Sequence, residues 1–496
     1  MPHAFLSGTS LDVEGLLSGH PAVVVGGGIS GLVAALRLAQ RGLNPLVLES
    51  SARVGGFVAP LEFTGNDGAK YVFDAGAESF ATRTSAVADL AVELGVTVVA
   101  PNPVGAFCVP VSGEPFALPA AGVLGVPTDF DEPSLAVALS QSGIARARED
   151  LQLPAAYGSR ENLAAFVADR MGQEVVDRLV APIASGVHST DPSLLDVTAL
   201  HPDFWAFYER AGSLSGAVRE IRATAPAGSA VRGIEGGINR LVSALVQRIE
   251  ALGGTILTKA SASFISHEQD QWSVGFTAFR DASVVEESVV SVRTERLVIA
   301  TGAPAALGLL AGVDVATSDE VLAAPAGSNI ALVTLLVDCQ QLREHPSRGS
   351  GALVAAGGDI AAKGATHTNA KWAWVDEVLN PPAFGPGSNV IRLSYGRHGD
   401  GQVWETTALV QQAKLDFQSI FMTPFGNQAQ WTVLDAVVTH WADALPPATP
   451  ALRDVARQVA QRVSVLPGLA VTGAWMSGTG LAATVPHAQQ CVEVFQ

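Results

Sequence analysis

Three observations predict an α/β protein: one nucleotide-type sheet drawn from separated stretches of chain, with a second, mixed sheet and a helical subdomain. Residues 21–25 (PAVVV) form a short apolar run that passes through glycines into LVAALRLAQRG, whose aliphatic residues recur at helical spacing. The chain then returns to an apolar strand at 44–49 (NPLVLE), which completes a βαβ unit. Two further apolar runs ending in turns, RLVIATGAP at 296–304 and LPGLAVTGAW at 466–475, lie far downstream, so the sheet takes strands from three segments. Finally, 496 residues are too many for one ordinary core, and two or three domains are expected.

Between these strands, residues 116–229 are rich in helix formers and punctuated by prolines, with ENLAAFVADRMGQEVVDRLV at helical periodicity. Residues 311–440 mix β-rich runs (NIALVTLLVD, SNVIRLSYGR) with loops, as expected of an antiparallel sheet walling a cavity. Hydrophobic residues at 48% and charged residues at 16% supply ample core and argue against global disorder. The net charge of -17 argues against a nucleic-acid backbone or an anionic membrane surface as the main partner. Cys108, Cys339 and Cys491 are far apart, which suggests neither a zinc site nor a disulfide framework and fits a reducing cytoplasm. The first twenty residues read as a loose extension and not as a secretory leader. The longest uncharged run, 297–313, is broken by Gly302, Pro304 and Gly308, so no membrane span is expected; peripheral membrane contact stays open.

Gly26-Gly27-Gly28-Ile29-Ser30-Gly31 fits G-x-G-x-x-G between a strand and a helix. In that motif Gly26 makes the turn, Gly28 lets backbone approach a pyrophosphate, and Gly31 lets the helix pack on the strand. The helix start offers unpaired N–H groups and a positive dipole end to phosphate. Glu49, ending the second strand, stands where a carboxylate accepts hydrogen bonds from adenosine ribose hydroxyls.

Beyond Glu49, Ser50-Ser51-Ala52-Arg53-Val54-Gly55-Gly56 resembles the extended signature of the glutathione-reductase-like FAD superfamily, which favours FAD over NAD. The superfamily usually has Arg or Lys next, where this chain has Phe57. Residues 253–265 (GGTILTKASASFI) resemble its adenine-contacting strand, with Ala262 at the contact, and residues 473–488 (GAWMSGTGLAATVPHA) resemble its closing motif, where a helix start faces the flavin. The resemblance implies cofactor contacts from Gly26, Gly28, Ile29, Ser30, Gly31, Glu49, Ser50, Arg53, Gly55, Gly56, Ala262, Trp475, Thr479, Gly480 and Leu481. Pro486 predicts that the last helix is kinked or short.

Further segments resemble the protoporphyrinogen and coproporphyrinogen oxidases: FDAGAESF (73–80), VAPIASGVHSTDP (180–192, with His188 in place of the usual tyrosine), GIEGGINRL (233–241), RGSGALVAAGG (348–358), THTNAKWAWV (366–375), VIRLSYGR (390–397) and HWADALPPATP (440–450). The resemblance implies a Rossmann-like FAD-binding domain (18–75, 230–310 and 464–496), a mixed-sheet substrate-binding domain (76–115 and 311–463) and a helical subdomain (116–229). It also implies oxygen-dependent six-electron oxidation of a porphyrinogen in haem biosynthesis, with dioxygen reduced to hydrogen peroxide and the product handed to other haem-pathway enzymes. Such flavin-centred chemistry needs no catalytic triad and no metal. Trp372 and Gly186 correspond to positions on opposite sides of the tetrapyrrole, and Arg83 and Lys371 are candidates for pairing with its propionates. Each has a plainer reading: core packing for Trp372, a turn for Gly186, solvated charge for Arg83 and Lys371, a structural histidine for His188. Coproporphyrinogen III is the expected substrate, with protoporphyrinogen IX next. An amine oxidase, a carotenoid desaturase and a flavin-free escort protein for prenylated GTPases remain open on the same fold.

Overall fold

The computed structural model describes residues 20–495 except 120–121, 189, 202, 225–229, 279–288, 324–326, 380–383, 398–403 and 447–448. It divides into two compact units, one made of residues up to 56 with 242–324 and 454–496, the other of 57–241 with 325–453.

The first unit is built on a five-stranded sheet in the order Thr255–Leu257, Leu46–Leu48, Ala22–Val25, Arg296–Ile299, Leu469–Val471, every neighbour parallel. The three segments expected to share a sheet do so, with Ala22–Val25 at its centre. Continuous apolar strands are what a parallel sheet covered on both faces requires, and AVVV, LVL and LAV are buried throughout. The crossover helix Ile29–Gln40 packs on the sheet and on the C-terminal helix Leu481–Cys491. That last helix runs five residues past Pro486 and is not broken by it. The single strand read at 253–265 is two: Lys259, at φ 56°, turns the chain out of the parallel sheet into Ala260–Glu268, the edge of a three-stranded antiparallel sheet.

The second unit holds a seven-stranded sheet in the order Thr432–Leu445, Ser328–Asp338, Ser388–Tyr395, Gly364–His367, Gly351–Val354, Phe107–Val109, Phe116–Ala117. It is antiparallel except where Gly351–Val354 meets Phe107–Val109. Val333, Leu335, Ile391 and Leu393 form a core with Leu409 and Phe417 of the helix Thr406–Phe417. The helices between Pro133 and Thr224 have a core of their own, around Phe166, Leu179, Phe204 and Val218. It is pinned by a fully buried ion pair in which Arg170 Nε donates to Asp150 Oδ1 at 2.7 Å. Arg170 also donates to the Asp150 and Pro154 carbonyls, and Asp150 accepts from the Leu214 and Ser215 N–H groups, so both buried charges are saturated.

The unit borders differ from the expected domain borders at four places: residues 57–75 and 230–241 fall in the second unit, and residues 311–324 and 454–463 in the first. The hairpin Pro60–Thr64/Lys70–Asp74 belongs to the second unit, because Leu61, Phe63 and Phe73 pack with Trp372, Val375 and Val390. Strand Val231–Ile234 also belongs there, held between Phe80–Ala81 and Val98–Val99. Among the described residues no helix is long and apolar enough to cross a membrane.

Candidate functional site

The three fingerprint glycines serve different ends. Gly26 sits at φ +106°, and a β-carbon there would lie 2.7 Å from the Ala300 carbonyl oxygen; one on Gly31 would lie 1.8 Å from the oxygen of Gly26. Both are demanded by the turn and by the approach of helix to strand. Gly28 is not demanded by the protein. Its φ of -69° and ψ of 177° suit any residue, and among the described residues an added β-carbon would meet only the Gly56 Cα at 3.9 Å. The absence of a side chain at the start of a twelve-residue helix therefore leaves open space above free N–H groups, which is the shape a phosphate-bearing ligand needs.

The following segment folds back onto this loop. Gly55 bridges to Gly28 in parallel fashion and its N–H donates to Gly27 O at 2.8 Å. Glu49, nearly buried, accepts from Gly27 N–H at 2.8 Å through Oε2 and from Ser51 N–H at 2.7 Å through Oε1. The carboxylate thus ties the glycine loop to the turn after the second strand, a structural task that the sequence reading missed. Exposed Arg53 donates to the carbonyls of Val54 and Gly56, and so shapes the same turn. Ile29 and Ser30 open the helix, and Ser50 is exposed beside Glu49. Ala262 pairs with Phe276 just before a bulge in its edge strand. Trp475 is buried, with Nε1 donating to Thr301 O at 3.2 Å. Thr479 precedes Gly480, at φ +90°, from which the helix starts at Leu481.

In the second unit, three of the segments that carry the family resemblance converge on two carboxylates of a fourth, FDAGAESF. Asp74 Oδ2 accepts from Ile238 N–H at 2.9 Å and Oδ1 from Asn239 N–H at 3.0 Å, capping the helix Asn239–Ala251 of GIEGGINRL. Burial pushes its carboxyl above the usual range, against the pull of these bonds. Glu78 forms ion pairs with Lys371 at 2.5 Å and Arg392 at 2.9 Å, from THTNAKWAWV and VIRLSYGR. Burial opposes its ionisation, but Arg392 and Lys371 outweigh that and hold the carboxyl below the usual range. Arg392 donates further to Gly76 O at 2.6 Å. Beside them lies a cavity of about 10 Å³ lined by Asp74, Glu78, Thr334, Trp372 and Arg392, room for one water and not for a large ring.

Of the candidate substrate residues, Lys371 is engaged by Glu78. Trp372 is 2% exposed, its ring packed among Phe73, Val375 and Leu379, and it lines the small cavity beside Glu78. Gly186 lies within the helix Ala181–His188, where a β-carbon would meet Leu353 Cδ2 at 2.5 Å; it is a close-packing position and not a turn. Arg83 is exposed in the turn after Phe80–Ala81. The side chain of His188 lies outside the described residues. Among the described residues no group of His, Cys, Asp or Glu has metal-binding geometry. Burial pushes the thiols of Cys108 and Cys491 up to about 12, so neither offers a thiolate near neutrality.

A parallel sheet with a glycine turn left open at Gly28 defines a dinucleotide-binding α/β protein. The particular family follows from comparison with known proteins: residues 29–490 match the model of the flavin containing amine oxidoreductases, and the chain belongs to that family. It is 28% identical over 486 residues to a coproporphyrinogen III oxidase of Mycobacterium leprae, covering 95% of this chain and 97% of that protein. To a coproporphyrinogen III oxidase of Bacillus subtilis it is 24% identical, covering 92% and 94%. In fold it resembles a solved Exiguobacterium sp. 255-15 protein named for protoporphyrinogen oxidation, with a TM-score of 0.77, 24% identity, and 96% and 98% of the two chains covered. The flavin for which the family is named is compatible with the open space at Gly28.

Proposed function

We propose that the chain is an FAD-dependent oxidase that converts coproporphyrinogen III to coproporphyrin III. The observation that carries this reading is likeness along nearly the whole length to proteins named coproporphyrinogen III oxidase, whereas the protoporphyrinogen oxidase 1 of Spinacia oleracea matches only 58% of this chain. The reaction removes six hydrogens in three two-electron steps; three dioxygen molecules take up the electrons and protons as three hydrogen peroxide molecules. Bound FAD supplies hydride acceptance at its ring and electron transfer to dioxygen.

The chain's own residues bind and orient. The N–H groups at the start of Ile29–Gln40, above Gly28, receive the pyrophosphate, and Glu49, while holding Gly27 and Ser51, keeps lone pairs for ribose hydroxyls. The start of Leu481–Cys491 supplies the positive end of a helix toward the flavin. In the second unit, Arg83 pairs with a substrate propionate, and Glu78 holds Arg392 and Lys371 as positioning residues. Protoporphyrinogen IX is the second reading, favoured by the fold likeness to the Exiguobacterium protein. The test is kcat/KM for coproporphyrinogen III, protoporphyrinogen IX and a primary amine, with hydrogen peroxide measured alongside. Preference for coproporphyrinogen III with one peroxide per two electrons supports the proposal; preference for either other substrate, or porphyrin formed without peroxide, overturns it.

A further inference from the structure

An arginine that gives up part of its hydration ordinarily finds an acceptor, because five N–H donors are costly to leave unmet. Every other buried or half-buried arginine among the described residues follows this rule, each donating to a carbonyl, carboxylate, amide or hydroxyl oxygen. The side chain of Arg232 is half-buried and has neither a hydrogen bond nor an ion pair among the described residues, in a chain with 47 acidic residues.

Its place in the strand Val231–Ile234 says what it faces. Gly233 turns toward Trp372, whose ring atoms would lie 2.8 Å from an added β-carbon, so alternation sends Arg232 to the opposite face. There it stands in register with Phe80, next to Ile234, both nearly fully buried. An apolar floor beside an unpaired guanidinium suits a carboxylate on a short alkyl chain. A second cation lies close along the chain: Arg83, exposed and likewise without a partner among the described residues, follows Thr82, whose N–H donates to Ala230 O at 3.1 Å.

We propose that Arg232 binds a propionate carboxylate of the substrate, in the role that the sequence suggested for Lys371. This rests on the tetrapyrrole reading above and adds a residue to it. The test uses the purified holoenzyme and its Arg232→Ala, Arg232→Lys and Arg248→Ala variants, the last removing an exposed arginine of the helix Asn239–Ala251. Coproporphyrin and its tetramethyl ester are titrated by fluorescence in one detergent buffer, and KM and kcat are measured with coproporphyrinogen III. Arg232→Ala should weaken binding of the free acid and raise KM by about tenfold with little change in kcat, since the lost bond is charge-assisted and made equally in ground and transition states. Binding of the ester, flavin content and Tm should stay at wild-type values, Arg232→Lys should recover part of the affinity, and Arg248→Ala should behave as wild type. Unchanged affinity for the acid in Arg232→Ala, or equal losses for acid and ester, overturns the inference while wild-type turnover keeps the functional reading. A wild-type enzyme that oxidises no porphyrinogen overturns both.

Discussion

Gly28→Ala adds one methyl group at a residue whose backbone, at φ -69° and ψ 177°, accepts any side chain, and whose only neighbour within reach among the described residues is the Gly56 Cα at 3.9 Å. For the protein alone this change is neutral or stabilising by about 0.4–1 kcal/mol, because alanine has less freedom to lose on folding than glycine. For a pyrophosphate lying against that backbone, the same methyl group removes van der Waals room and pushes the phosphate off the N–H groups of the helix start. Losing one or two charge-assisted hydrogen bonds at about 1.5–3 kcal/mol each lowers affinity by tenfold or more. Gly31→Ala is the contrasting control, since its methyl group would lie 1.8 Å from Gly26 O and must distort the turn. Thermal unfolding of flavin-stripped wild type, Gly28→Ala and Gly31→Ala, followed by FAD titration, reads the two effects separately. Stripped Gly28→Ala should melt at or slightly above wild type and bind FAD at least tenfold more weakly; stripped Gly31→Ala should melt well below. Wild-type FAD affinity in Gly28→Ala, or an apo protein as damaged as Gly31→Ala, refutes the argument that a ligand keeps position 28 free.

Glu49→Gln leaves one acceptor oxygen for the Gly27 and Ser51 N–H donors, so flavin-stripped protein should lose about 1–3 kcal/mol in urea unfolding; no loss would return Glu49 to a purely cofactor-binding role. Arg170→Met strands the buried Asp150 carboxylate and should cost about 3–5 kcal/mol, whereas less than about 1 kcal/mol by the same measurement would show that the helical core does not depend on the pair. His367 is fully buried with Nε2 bonded to Asn389 Oδ1 at 2.9 Å, and burial lowers its pKa to about 4. The unfolded chain takes up a proton as pH falls below about 6.5 while the folded protein does not, so this contribution is complete above pH 6.5 and is lost between there and pH 4. Wild type should therefore lose about 3 kcal/mol more than His367→Gln across that window; equal losses would mean that the imidazole is solvated.

Much of the first unit was legible because buried parallel strands are written as unbroken apolar runs, and because the turn after Val25 has a steric need for glycine at 26 and 31. The break at Lys259 was not legible, since a left-handed lysine leaves no mark in hydrophobic patterning. Glu49 illustrates a subtler loss. Its place at the strand end was readable, but its bonds to two backbone N–H groups were not, because backbone donors carry no side-chain signature. In the second unit the cluster at Asp74 and Glu78 joins residues far apart in sequence, such as Glu78 and Lys371, so no local spacing announces it. The available hint was two carboxylates set in the mostly apolar FDAGAESF. Trp372 shows the limit of matching by position: a tryptophan reads the same whether it stacks on a ligand or fills a core, and its packing with Phe73, Val375 and Leu379 leaves no mark in local spacing.

Whether a porphyrinogen gives its hydrogens to a flavin held by this chain can be read by mixing the purified yellow protein anaerobically with excess coproporphyrinogen III and following the flavin and porphyrin spectra together. The oxidised flavin band should bleach with two electrons delivered per flavin, and recover with formation of coproporphyrin when dioxygen is admitted. A flavin band that stays oxidised under coproporphyrinogen III, in a protein that retains its FAD and its fold, would contradict that transfer.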